Sequence, residues 1–205
     1  MTSIQISARL LTREQDAATA QWHIAEPPLA AEKNPQSIAL QLHRANFDLW
    51  HTEDRARDPE APPEAIVEEK HNIDRYNQQR NDLVESFDHL LLDTLHESSL
   101  PNPAAPQNSE TPGLMLDRLS ILALKIYHTQ EEIDRGLHNS NVPPHHAERN
   151  RDRLALLLEQ RDDLARCMDE LWQQVLAGER RFKLYRQMKM YNDPTLNPVL
   201  YKAAK

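Results

Sequence analysis

The chain has 205 residues, a formal charge of -8, three glycines and one cysteine. Neither a G-x-G-x-x-G turn nor a Walker loop can be spelled in it, which removes the usual dinucleotide and P-loop routes. The acidic balance argues against general nucleic-acid binding, and Cys167 alone can form neither an internal disulfide nor a zinc cluster. With no apolar leader and no long apolar run, the expectation is a soluble, cytoplasmic protein without a transmembrane segment.

Taken in chain order, the first element is a short helix that the capping-box pattern Thr12-Arg-Glu-Gln15 predicts to open at Thr12. Residues 1–33 read as an N-terminal extension that runs into the linker "EPPLAAEKNPQ" (26–36). Asn34-Pro35, an N-cap with proline at the first helical position, opens the first long helix. The proline-rich stretch "DPEAPPE" separates it from the second, and "LPNPAAPQNSETPG" separates the second from the third, which opens at Thr111-Pro112. A fourth long helix follows "NSNVPPHH" and stops just before Gly178. Arg180 to Tyr191 reads as a basic amphipathic helix. The proline-containing end beyond it reads as an extended tail, with Leu196, Val199, Leu200 and Tyr201 docking on the body.

No alternating β-branched run predicts a strand. The expected fold is therefore all-α: an antiparallel four-helix bundle over residues 34–178, with short helical extensions at both ends and 179–205 packed on the bundle. "QRNDLVESFDHLLLDTL" (79–95) lies over "QRDDLARCMDELWQQVL" (160–176) without a gap, and "LWHTED" is echoed by "IYHTQEE". This predicts two related helical hairpins that arose by duplication.

Polar residues interrupt the helical stripes. Beside the main seam, the second helix carries Ile66, Ile73, Val84, Leu91 and Leu95, interrupted by Lys70, Asn77, Asn81 and Asp88. Asn46, Glu53 and Arg57 edge the seam of the first helix, with His51 and Asp54 round the other side. Arg118, Lys125 and His128 share a stripe of the third. An unpaired buried amide costs roughly 1–3 kcal/mol, so such groups must pair or line a cleft. The candidate polar site is Asn46, His51, Glu53, Asp54, Lys70, Asn77, Arg80, Asn81, Asp82, Arg118, Lys125 and His128.

A carboxylate-lined bundle suits Mg²⁺ or Mn²⁺, for which Glu53, Asp54, Asn81 and Asp82 are the candidate ligands. The expectation is nevertheless that no cofactor binds and the polar groups satisfy one another, with Mg²⁺ or Mn²⁺ as the alternative. For the histidines, spacing alone does not bring His51 and His128 together, and Cys167 reads as a small core residue. Arg180, Arg181, Lys183 and Arg186 form a basic contact face.

The blocks "LHRANFDLWHTEDRARD", "IDRYNQQRNDLVE", "SETPGLMLDRLSILALKIYH" and "MYNDPTLNPVLY" resemble the bacterial domain-of-unknown-function family numbered 4254. The resemblance runs from about Gln41 to Tyr201 and places Asn46, Trp50, His51, Glu53, Asp54, Asn77, Arg80, Asn81, Asp82, Glu110, Thr111, Asp117 and Arg118 in the family's pattern. It implies a small cytoplasmic bacterial protein of helical fold, and brings no reaction or catalytic residue with it. An association of relatives with glycosyltransferases of surface-polysaccharide pathways is a further implication.

Three functions follow as expectations. The first is an interaction module that binds a protein partner or a second copy of itself. The second is a Mg²⁺- or Mn²⁺-dependent hydrolase of a phosphorylated or nucleotide-linked substrate. The third is an accessory protein of cell-envelope polysaccharide synthesis.

Overall fold

The computed structural model describes residues 6–25, 27–29, 32–139, 141–188 and 195–199. Five helices carry them: α1 (Ala8–Trp22), α2 (Pro35–Arg55), α3 (Pro63–His96), α4 (Pro112–His138) and α5 (His146–Leu176). No helix among the described residues is long and apolar enough to cross a membrane. The proline punctuation works as local chemistry predicts. Asn34 accepts from the Ser37 amide at 2.8 Å, Thr111 accepts from the Leu114 amide at 3.2 Å, and proline follows each cap.

Helix α1 opens at Ala8, not Thr12. Ser7 is its N-cap, and the Ala8 amide donates to Asp169 of α5 at 2.7 Å. A carboxylate on a helix N-terminus satisfies one orphan amide and meets the positive end of the helix dipole, so a tertiary contact overrides the local capping signal. Thr12 lies inside the helix, its hydroxyl donating to the Arg9 carbonyl.

α2 packs most extensively on α3 and α4 on α5, while α1 lies against α4, α2 and α5. The main core joins Leu42 of α2, Phe87 and Leu91 of α3, Leu116 and Leu119 of α4, Met168 and Trp172 of α5, and Leu11 of α1. Burying side chains of this size contributes about 1.5–3 kcal/mol each. On α3 the polar-interrupted stripe supplies most of the buried positions, Ile73, Val84, Asp88, Leu91 and Leu95, and Phe87 joins them from the main seam. Its buried Asp88 meets the start of α4, accepting from the Gly113 amide at 2.7 Å. Cys167 is exposed, contrary to the core role expected of it. It sits one residue before Met168, which is 1 % exposed and takes the inward position at that turn.

The segment after α5 departs from expectation. Residues 181–188 carry no helix. Arg181 forms a parallel bridge with Gln107, its amide donating to Pro106 O at 3.1 Å and its carbonyl accepting from Asn108 at 2.7 Å. Gly178 adopts φ of 73° and turns the chain out of the helix, and Phe182, 2 % exposed, pins the extended segment to the core. Arg180, Lys183 and Arg186 are exposed, whereas Arg181 is half-buried. In the tail, Leu196 and Val199 are 50 % and 75 % exposed rather than docked, and Leu200 and Tyr201 lie outside the described residues.

A Cβ at Gly178 would find only ordinary contacts, 3.7 Å from Asn102 and Leu100, so the effect of Gly178→Ala is purely conformational. Holding alanine in the left-handed region costs about 1 kcal/mol. The expected drop in melting temperature is roughly 2–4 °C, measured by circular dichroism.

Candidate functional site

A cavity of about 380 Å³ opens between α2, α3 and α4. Asn46, Leu49, Trp50, Glu53 and Asp54 reach it from α2, Arg57 from the turn just after it, Asn77 and Arg80 from α3, and Ile121 and Leu124 from α4. Five predicted site residues therefore meet: Asn46, Glu53, Asp54, Asn77 and Arg80. The α2 positions recur at the three- and four-residue spacing that lines one helix face, which is why a single helix delivers five of the ten lining groups.

Behind the cavity runs a buried polar chain. The Asn46 amide donates to Asp117 Oδ1 at 2.9 Å and to Ser120 Oγ at 3.0 Å. Ser120 Oγ lies 2.8 Å from His43 Nδ1, and His43 Nε2 lies 2.8 Å from Thr19 Oγ1. The Thr19 hydroxyl spends its proton on the Gln15 carbonyl at 2.9 Å, so it accepts from His43 Nε2–H. His43 Nδ1 is then an acceptor, and Ser120 donates to it. Burial drives the His43 pKa down to about 4, which keeps the ring neutral in this arrangement. The chain ties α1, α2 and α4 together and fixes the rotamer of Asn46.

At the cavity wall, Arg80 Nε lies 3.4 Å from Asp117 Oδ1. The contact is an ion pair without hydrogen-bond alignment, and Nε is buried without a hydrogen-bond partner. Burial raises the Asp117 pKa, opposed by the Arg80 charge and the Asn46 hydrogen bond. Arg57 pairs with Glu53 at 2.6 Å across one helical turn. The cavity thus offers two guanidinium groups, two carboxylates and two amides beside an indole, with no large excess of either sign.

The remaining predicted residues go elsewhere. Lys70 pairs with Asp74 at 2.7 Å on the outer face of α3, and Arg118 pairs with Glu110 at 2.6 Å. Asp82 accepts from Gln78 and lines a separate groove with Asp74 and Ser86, while Asn81 is half-buried and lines neither. The four candidate Mg²⁺ or Mn²⁺ ligands are therefore not brought together. Lys125 is exposed at a second cavity of about 370 Å³, which it lines with Trp50, His128, Glu132, Asn150 and Arg153.

His51 and His128 meet on another side of Trp50, with ring centroids 5.4 Å apart, and His23 of the α1 C-cap joins them. Trp50 stacks on His128 at 5.0 Å and 8°. Sequence reasoning left Trp50, Asp117 and Ser120 out of the candidate site although all three fall within the quoted family blocks. Their signal was membership of the blocks "LWHTED" and "DRLSI". His43 falls within the block "LHRANFDLWHTEDRARD" as well, whereas nothing in the local pattern of His23 marked it.

With this geometry in place, the comparisons supply the family. The chain belongs to the family described as "Protein of unknown function (DUF4254)", whose pattern matches residues 36–184. The match takes in α2 through α5 and the whole cavity. It leaves out α1 and the block "MYNDPTLNPVLY". No curated protein and no solved structure matches the chain.

Proposed function

We propose that this family member binds a small polyhydroxylated molecule of the sugar class, free or phosphate-linked, in the cavity between α2, α3 and α4. The observation that carries this reading is the convergence of Asn46, Trp50, Glu53, Asp54, Asn77 and Arg80, from two separate sequence blocks, on one cavity. A volume of about 380 Å³ falls in the range of small-ligand sites. Hydroxyl groups both donate and accept, so a polyol can satisfy carboxylates, amides and guanidinium groups together. A strongly charged ligand would leave one set of side chains opposed. Arg80 is the group best placed for an added phosphate, since its pairing with Asp117 is loose.

The reading absorbs the hydrolase and envelope-glycan expectations as choices of ligand. It sets the interaction module aside, because the polar-interrupted faces of α2 and α3 enclose the cavity. We also read α2–α3 and α4–α5 as copies of one hairpin. Supporting this, the paired positions Phe87 and Met168, and Leu91 and Trp172, are buried in both. Arg80 and Arg161 are paired as well, yet Arg161 binds Asp16 of α1 at 2.8 Å, so the polar site belongs to one copy.

The test is isothermal titration and thermal shift of the full chain with monosaccharides, sugar phosphates and nucleotide-linked sugars. A ligand at about 100 times its dissociation constant stabilises by roughly 2.7 kcal/mol, which raises the midpoint by roughly 5–10 °C. Arg80→Ala and Glu53→Gln should each weaken binding about tenfold or more, with Arg80→Ala acting most on phosphorylated ligands. Binding that is indifferent to both substitutions would overturn the assignment.

A further inference from the structure

We propose that His23, His51 and His128 form a three-imidazole site for a divalent ion of the zinc class, with the fourth coordination position open. The inference does not depend on the cavity's ligand and uses none of its polar lining residues.

Their donor atoms lie within 4.8 Å of one another, and no other group of three or more histidine, cysteine or carboxylate residues among those described comes as close. Tetrahedral zinc, with bonds of about 2.0–2.1 Å, holds its ligands about 3.3 Å apart. A further approach of about 1.5 Å closes the set, and His23, at the end of α1 and the most exposed of the three, has the freedom to supply it. The rings stand edge-on to one another, at 78° for His23 and His51, 74° for His23 and His128, and 81° for His51 and His128.

The outer hydrogen bonds already select the tautomers a metal needs. His23 Nδ1 donates to the Thr19 carbonyl at 2.7 Å, and His128 Nδ1 donates to the Glu131 carboxylate at 2.7 Å. Each bond directs the Nε2 lone pair away from its outer partner, as orienting bonds do at metal-binding histidines. Nε2 of His51 and Nε2 of His128 are both buried and have no hydrogen-bond partner. Two buried imidazole nitrogens without partners are an uncompensated cost that a bound ion removes.

The surroundings hold the rings in place. Tyr127 stacks on His23 at 4.3 Å, Trp50 stacks on His128, and Phe47 meets His51 edge-on at 4.5 Å. The site also lies at the C-terminus of α1, the negative end of its dipole.

The decisive experiment strips the full chain with a chelator and titrates it with Zn²⁺ alone, and in parallel with Co²⁺ as a spectroscopic probe. The expected result is one equivalent of Zn²⁺ per chain and the intense visible absorption of four-coordinate Co²⁺. Affinity should fall at least tenfold in His51→Ala and His128→Ala, fall 10–100-fold in Glu131→Gln, and stay unchanged in His89→Ala, which removes an exposed histidine beside Asp93. Glu131 is exposed, so its variant reads the orienting bond even where a histidine variant fails to fold. Stoichiometry unchanged in the folded His51 and His128 variants, or a six-coordinate Co²⁺ spectrum, would overturn the proposal.

Discussion

Gly113→Ala should lower stability by about 3 kcal/mol, one of the two largest effects expected of a single substitution here. The added Cβ would stand 2.7 Å from the Val84 carbonyl oxygen and 2.9 Å from Asp88 Oδ1. The first of these is backbone within the 34-residue helix α3 and cannot swing aside. The first turn of α4 would have to move off α3, and the Gly113 amide would lose its bond to Asp88. Urea unfolding measures the change as a lower midpoint at unchanged slope. A Gly113→Ala protein as stable as the parent would mean that α3 and α4 do not approach this closely.

The second large effect is pH dependence, and it comes from the same contact. Burial pushes the Asp88 pKa up to about 7, aided by Glu85 and opposed by hydrogen bonds from Thr111 and Gly113. A carboxyl whose folded pKa lies above its unfolded value is favoured by the native state when protonated. Its contribution is full below the unfolded pKa, near 3.8, and is lost as pH rises through about 7. The loss is on the order of 4 kcal/mol at the most. His43 runs the other way. Its folded pKa of about 4 lies below 6.5, so its contribution is full above pH 6.5 and is lost as pH falls towards 4.

The two slopes oppose each other in the parent between about pH 4 and 7. Asp88→Asn keeps an oxygen for the Gly113 amide and removes one slope. The variant should gain on the order of 2–4 kcal/mol over the parent between pH 5 and pH 8, and should lose stability on acidification as His43 is forced to ionise. Urea unfolding at the two pH values checks this. A variant whose pH profile parallels the parent's would show that Asp88 ionises normally in the fold.

The helices were legible wherever their ends are written locally. Asn34-Pro35 and Thr111-Pro112 carry cap and proline in adjacent letters, and the structure opens α2 and α4 there. The start of α1 was not legible, because it is set by Asp169, more than 150 residues away in the chain. The segment after Gly178 carries helix-forming letters, but a left-handed glycine and the burial of Phe182 direct it into an extended path. Propensity yields there to a tertiary anchor.

For the site, the sequence marked polar residues on otherwise apolar stripes, and Asn46, Glu53, Asn77 and Arg80 do meet. It could not give the partners, because those depend on the register between helices. Arg118, a candidate by its stripe on the third long helix, binds Glu110, while Arg80 takes Asp117. The meeting of His51 and His128 was equally hidden. Each lies on its own helix, and the third ring, His23, comes from a segment outside the family match.

The measurement that bears most directly on the cavity is a nitrogen-15 NMR titration of the full chain with the best ligand of the sugar screen. The account predicts that the Trp50 indole and the side-chain amides of Asn46 and Asn77 shift together with one saturation curve, while the Trp172 indole, 1 % exposed in the core, stays put. Shifts confined to other surfaces, or a screen that moves none of these three signals, would contradict it.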